Sequence, residues 1–430
     1  MDRRKFLRTA GAGIAGLTII PSFASARTLA PSDTVRLGFI GLGQQAMFLM
    51  SGFLQIPGVE IVAGCDVYGI KRERFLKRAT DFYSKAGKNI KPDLYEKYTD
   101  VLERKDIDAV VIATPDHWHA IIAIAACNAG KDVYLEKPMT FTIYEGQQVV
   151  KAVRKNNRVM QIGSQQRSDA VFQHATKLVQ NGTLGKISNV NAYVGAPPRP
   201  YDLPKESIPA DLNWDLWLGP LPEKIHYNKE LNPTISLSPE RNETFWGAWR
   251  WYKEMGGGFT TDWGAHMFDI AQWGLGMDKN GPLEIIPAGY GNTKYLTYKY
   301  AGDITMTEEP FDERKTQGVK FWGEKGWIEV ARGYFKASDP AWNPSASSGN
   351  DGPYETRIPH QFNFIECVRS RKDPVVTAEI GHSSCSTCTL GNIAYELKRP
   401  IQWNPTVQKF VKDPEATKLL HYKYRKGYKL

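Results

Sequence analysis

The chain has 430 residues, of which 42% are hydrophobic, 23% charged and 12% aromatic. That is enough for two domains of about 150–250 residues each and too rich in apolar side chains for a disordered protein. The net charge of +9 sits at the two ends, +3 on residues 1–26 and +5 on residues 409–430, with +1 left between them; the basic balance therefore implies no nucleic-acid surface, and five cysteines exclude a disulfide scaffold.

Residues 1–26 read as a targeting segment. Arg3-Arg4-Lys5-Phe6-Leu7 is a basic start, Thr9 to Ile20 is weakly apolar, Pro21 breaks the run, and Ala24-Ser25-Ala26 offers the small residues a signal peptidase needs. The paired arginines resemble a twin-arginine export signal. The apolar run is shorter than the roughly 20 strongly apolar residues of a membrane span. The expectation is a periplasmic protein handed to the twin-arginine machinery, with no stable membrane anchor.

Residues 33–162 read as a dinucleotide-binding domain. Val35 to Ile40 is a buried strand, Gly41-Leu42-Gly43-Gln44-Gln45-Ala46 follows at once, Met47 to Leu54 is helical, and Val59 to Cys65 is a second strand ending at Asp66. This is a strand–turn–helix–strand unit with its G-x-G-x-x-A turn in place. Gly41 allows the tight turn, Gly43 lets the backbone approach a pyrophosphate, and the helix N-terminus faces the phosphates. Asp66 is placed to accept the ribose hydroxyls, which favours NAD over NADP. Strands at 108–112, 132–135 and 159–162 alternate with helices at 70–86, 119–129 and 144–156. This predicts an α/β fold, a doubly wound parallel sheet with ligands at the strands' carboxyl ends. At those ends lie Thr114-Pro115-Asp116-His117-Trp118-His119, Glu136-Lys137-Pro138 and Gly163-Ser164-Gln165-Gln166-Arg167.

Residues 163–408 read as a second α/β domain. Short alternating strands (188–194, 318–322, 326–330) predict a large open, mostly antiparallel sheet. Met255-Gly256-Gly257-Gly258-Phe259-Thr260-Thr261-Asp262 runs into a helix over 263–273. The basic, Tyr-rich tail at 409–430 is expected to pack loosely.

The glycine turn, the Thr114–His119 segment, Glu136-Lys137-Pro138, and Asp262-x-x-x-His266 with Asp269 together resemble the Gfo/Idh/MocA oxidoreductases over roughly residues 33–403. The resemblance implies hydride transfer between a nicotinamide and a sugar or cyclitol carbon; since an exported protein would meet no NAD pool, tightly held NAD, recycled on the enzyme, is the expected cofactor. The resemblance also implies a homo-oligomer formed through the C-terminal sheet. Gly41, Leu42, Gly43, Gln44, Gln45, Asp66, Thr114, Pro115, His117, His119, Glu136, Lys137 and Gln165 are the implied cofactor contacts. Lys137 would lie beside the nicotinamide and the reacting hydroxyl, and His266 would be the acid–base, with Asp262 on the same helical face. Asp269, three residues on, would orient His266 or cap the network. Arg167 and Trp251 are candidate sugar contacts, together with Asp262 and His266.

His117 and His119 do not share a helix face, and no acid or cysteine cluster completes a metal site around them. Cys385 and Cys388 fall within a helical stretch, and packing suits them better than redox chemistry. Three functions stay open: a sugar dehydrogenase; an NAD-dependent enzyme that oxidises, eliminates, hydrates and re-reduces a glycoside without net redox; and a non-catalytic sugar- or nucleotide-binding protein.

Overall fold

The alternation of apolar strands and helices builds a parallel sheet of β1 (Val35–Ile40), β2 (Val59–Cys65), β3 (Asp93–Tyr95), β4 (Ala109–Ile112), β5 (Asp132–Leu135) and β6 (Met160–Ile162). The computed structural model describes residues 33–221, 224–237, 246–344 and 357–430, so the targeting segment at 1–26 lies outside the described residues. Strand order is β3–β2–β1–β4–β5–β6, and every pair is parallel. β4 and β5 are buried at every position, as helices on both faces require. The order reverses between β1 and β4, and this switch point opens the crevice that holds ligands in such sheets.

Helix Asp116–Asn128 starts three residues before the predicted His119. Pro115 caps it, and the Asp116 side chain lies in the first turn, where the helix dipole offers positive charge. Helix Ile143–Lys155 begins with a reciprocal capping box between Thr142 and Glu145, an arrangement in which the cap contributes about 1 kcal/mol.

The second sheet has nine strands: β7 (Ile187–Tyr193), β8 (Glu284–Ile286), β9 (Thr297–Lys299), β10 (Thr305–Thr307), β11 (Gly318–Gly323), β12 (Gly326–Ala331), β13 (Tyr334–Ala337), β14 (Ile401–Asn404) and β15 (Lys409–Phe410). Only the β7–β10 pair is parallel; the others are antiparallel. Alternate residues Val319, Phe321, Ile328 and Val330 point to one core together with Phe268 and Met267 of helix Gly264–Gly274. The sheet's other residues include Lys320, paired with Glu329 at 2.9 Å, and the exposed Trp322.

Two later segments return to the parallel sheet. Helix Arg357–Ser370 lies on helix Gln44–Phe53: Gln361 Nε2 donates to Leu49 O at 3.1 Å, and a Cβ at Gly52 would fall 1.9 Å from Gln361 Oε1. Phe364 meets Phe53 and Tyr134 edge-on, all three fully buried, and each such side chain contributes about 1.5–3 kcal/mol by burial. The tail is not loosely packed, contrary to expectation. Its Tyr424 donates to the buried Glu145 carboxylate, and its Arg425 pairs with the exposed Asp215 at 2.7 Å. Its Lys charges remain exposed while the aromatic residues between them turn inward.

Candidate active site

The turn after β1 is fixed by close approach. Gly41 has φ +84°, and a Cβ there would lie 2.7 Å from the Ala113 carbonyl and the Thr114 nitrogen. Gly43 caps the following helix with no side-chain cap, and a Cβ on it would meet nothing within 4 Å. An open space before uncapped helical N–H groups fits a phosphate. Asp66 accepts from the Leu42 and Tyr68 amides at 2.7 and 2.9 Å, which ties the acid to the turn. Buried Arg74 holds the same turn through Leu42 O at 2.8 Å. Gly41, Gly43, Gln44, Gln45, Asp66, Thr114 and Pro115 line one cleft of about 300 Å³. Leu42 is wholly buried and contributes only its backbone.

A second cavity of about 260 Å³ shares Gln45, Thr114, Trp249 and Arg250 with that cleft. Lys137, Asp262, His266, Trp251, Glu136 and Gln165 line it, so the structure brings these predicted residues together. Lys137 Nζ donates to Asp262 Oδ1 at 2.7 Å and to Asp262 O at 3.0 Å. Burial would raise the Asp262 carboxyl, but Lys137, Arg250 and Arg332 outweigh it and hold the acid below its usual range. Asp262 closes the short helix Gly258–Asp262 and His266 lies in the first turn of Gly264–Gly274; the two helices meet at Trp263 rather than running as one. Glu136 Oε1 accepts from Gln45 and Gln165 at 2.8 and 2.9 Å and so joins three strand ends.

Other predicted residues lie elsewhere. His117 and His119 are buried behind the cleft, where His117 Nε2 meets Trp217 O at 3.0 Å and His119 lies between Pro138 O at 2.8 Å and Thr114 O at 3.0 Å. Burial lowers both rings to about 4. They position the loops that line the site and do not line it themselves. Arg167, read as a sugar contact, is buried with its guanidinium shared between Asp269 and Asp278 at 2.8 and 2.7 Å. Asp269 therefore turns to Arg167, and also to Ser384 at 2.6 Å, in place of orienting His266. Cys385 and Cys388 are buried free thiols, and Cys385 Sγ donates to Thr140 O at 3.1 Å. Among the described residues, no group of three or more His, Cys, Asp or Glu is arranged to hold a metal.

Of three further cavity residues, Arg332 was not singled out by the sequence, while Arg250 and Asp116 entered only as members of longer segments. Arg332, in the β12–β13 turn, brings Nη2 to 3.2 Å from His266 Nε2 and lies over the Trp263 ring at 4.6 Å. Arg250 lies over Trp249 at 4.3 Å, with Nε 3.7 Å from Asp262. In the sequence Arg250 lies between Trp249 and Trp251 in the aromatic stretch Trp246-Gly247-Ala248-Trp249-Arg250-Trp251-Tyr252, which suits sugar faces and hydroxyls; nothing local marks Arg332. Asp116 is buried, which pushes its carboxyl up to about 8, opposed by Arg250 and supported by Asp262.

Comparison with known proteins agrees with this architecture. Residues 35–164 match the model of the oxidoreductase family's NAD-binding Rossmann fold, and residues 172–430 match that of its C-terminal alpha/beta domain. A glycosyl hydrolase family 109 protein of Shewanella baltica is 34% identical over 211 residues, 44% of each chain. An alpha-N-acetylgalactosaminidase of Shewanella oneidensis is 31% identical over the same length. The alignment thus spans less than half the length of these curated relatives. In fold, the chain is similar to scyllo-inositol dehydrogenase from Lactobacillus casei with bound NAD(H) and scyllo-inositol, with a TM-score of 0.57, 17% identity and coverage of 86% of this chain and 99% of the other. Aldose-aldose oxidoreductase from Caulobacter crescentus gives a TM-score of 0.55 at 17% identity, with the same coverage of each chain. With both of its halves matched, the chain belongs to the Gfo/Idh/MocA oxidoreductase family.

Proposed function

We propose that the protein transfers a hydride between a carbohydrate carbon and NAD retained in the cleft behind Gly41. The observation that carries this reading is the Lys137–Asp262 contact at 2.7 Å, on the wall of a cavity that also presents His266 and adjoins the nucleotide cleft. When bound, the nicotinamide supplies the hydride acceptor and donor. Lys137, held by Asp262, directs an ammonium at the oxygen that gains negative charge as hydride departs. A guanidinium donates and does not lose its proton, so the Arg332 contact requires His266 Nε2 to accept. The imidazole is thereby neutral, with its one lone pair on Nε2, and it takes the hydroxyl proton there as the substrate hydroxyl displaces the Arg332 contact. Trp246, Trp249 and Trp251 give the cavity aromatic faces suited to sugar C–H surfaces.

A second reading, redox-neutral cleavage of a glycoside, is favoured by the two Shewanella relatives. Oxidising a ring carbon acidifies the neighbouring C–H, elimination follows, and the hydride returns after water adds. One experiment separates the two readings. The purified protein, given aryl glycosides and no added NAD, releases many equivalents of phenol in the redox-neutral case. A net dehydrogenase stops after reducing its bound nucleotide once. If no sugar or glycoside changes the bound nucleotide, both readings fail.

The proposal extends to location and assembly. Export rests on the arginine pair and on Ala24-Ser25-Ala26; replacing Arg3 and Arg4 by lysine retains the protein in the cytoplasmic fraction if that reading is right. Self-association through the nine-stranded sheet is checked by light scattering of wild type and Trp322→Glu, the variant being expected to shift toward the monomer mass.

A further inference from the structure

After β15 the chain forms helix Pro414–Lys418 and then crosses to the nucleotide-binding half. Two contacts fasten it there, and a third ties it to the short helix Trp214–Leu218 of the second domain. Leu420 O accepts from the Tyr144 amide at 3.0 Å, Tyr424 donates to the buried Glu145 carboxylate, and the Arg425 guanidinium lies 2.7 Å from Asp215. A turn from Arg425 to Tyr428, closed at 3.1 Å, then brings the Tyr428 ring edge-on to Trp118 at 5.5 Å. Trp118 also meets Tyr98 edge-on at 5.8 Å. All three rings line the same cleft as Gly41, Gly43 and Asp66.

A dinucleotide with its pyrophosphate at the glycine turn and its ribose at Asp66 leaves its purine for the apolar remainder of that cleft. We propose that residues 420–430 complete the adenine end of the nucleotide site, and that Tyr428 is a nucleotide-binding residue which slows nucleotide release. This deepens the reading of the cleft as a dinucleotide site and is independent of the sugar chemistry. For the purine to leave past Tyr428, either the aromatic contact is given up or the segment lifts. Lifting separates Arg425 from Asp215 and leaves the buried Glu145 carboxylate without the Tyr424 hydroxyl, so release is slow.

The test follows NADH release from the full chain by fluorescence after mixing with excess NAD, and AMP and nicotinamide mononucleotide binding by calorimetry. Tyr428→Ala is expected to accelerate NADH release about tenfold and to weaken AMP by a similar factor, the scale of a lost base–aromatic contact, while nicotinamide mononucleotide binds as before. Tyr428→Phe keeps the ring and is expected to release NADH at close to the wild-type rate. Arg425→Ala keeps the ring but unfastens the segment and is expected to accelerate release. An unchanged NADH release rate in Tyr428→Ala overturns the proposal, and so does an equal loss of AMP and nicotinamide mononucleotide binding, which marks a general structural defect. A wild-type protein that binds NADH and converts no sugar refutes the proposed hydride transfer while leaving this result intact.

Discussion

At the scale of single residues, the site combines side chains of two kinds. Lys137, Asp262 and His266 each lie in a short contiguous motif, and the structure places all three on one cavity. Replacing Lys137 or His266 by alanine is expected to lower the single-turnover rate of nicotinamide reduction about 10²–10⁴-fold, the cost of losing a positioned acid–base group, with nucleotide still bound. Stopped-flow absorbance checks this, and wild-type rates in both variants would place the chemistry elsewhere. Arg332 reaches His266 from a hairpin turn 66 positions away, so no local pattern could announce it. Arg332→Ala frees the imidazole from its guanidinium neighbour, and kcat is expected to fall about tenfold or more, within the range for a misplaced catalytic group. Asp66 tests cofactor choice at the same scale. Asp66→Ala removes the acid that repels a 2′-phosphate and is expected to weaken NAD and strengthen NADP; a wild-type protein that already carries NADP contradicts it. Arg167 shows the opposite limit of sequence reading. A polar residue at a strand's carboxyl end suggests a ligand, yet its two aspartates come from positions 102 and 111 residues away.

Among the elements, those with strong periodicity were legible and those defined by their neighbours were not. β1, β2 and β5 occupy the predicted residues because each is an apolar run bounded by turn residues. β3 is three partly exposed residues that become a strand only by pairing with β2. Helix Arg357–Ser370 carries its apolar residues without a clear stripe, so packing rather than pattern defines it. The turn between β1 and its helix makes the sharpest demand. Gly41→Ala places a methyl group 2.7 Å from the Ala113–Thr114 backbone at a φ of +84°. That substitution is expected to cost about 1–3 kcal/mol of stability, the usual scale of such backbone strain, and to abolish nucleotide binding. Denaturant unfolding and NADH fluorescence report the two effects separately.

For the whole molecule, buried titratable groups set the pH range of stability. Burial lowers His117, His119 and His360 to about 4. Below about 6.5 the unfolded chain takes protons that the fold refuses, so stability falls as pH drops from about 6.5 toward 4. Burial raises Asp116 to about 8 and Glu145 to about 7. These two acids hold protons in the fold that the unfolded chain has released, so their contribution is lost as pH rises toward 7–8. The urea midpoint is expected to peak between about pH 6 and 7, and Asp116→Asn is expected to flatten the alkaline side; a midpoint that climbs steadily to pH 8 contradicts this. Length and composition foretold two domains, but not that helix Arg357–Ser370 would cover the first sheet's helical layer. The Gln361–Leu49 hydrogen bond that seats it joins positions 312 apart. On a ribosome adding about 5–20 residues per second, the face around Phe53 and Tyr134 waits roughly 16–60 s for its cover. A nascent chain in that interval presents an aromatic surface to every other chain nearby, and a fragment ending at residue 162 presents it permanently. Lowering chaperone supply during synthesis is therefore expected to lower the yield of folded protein.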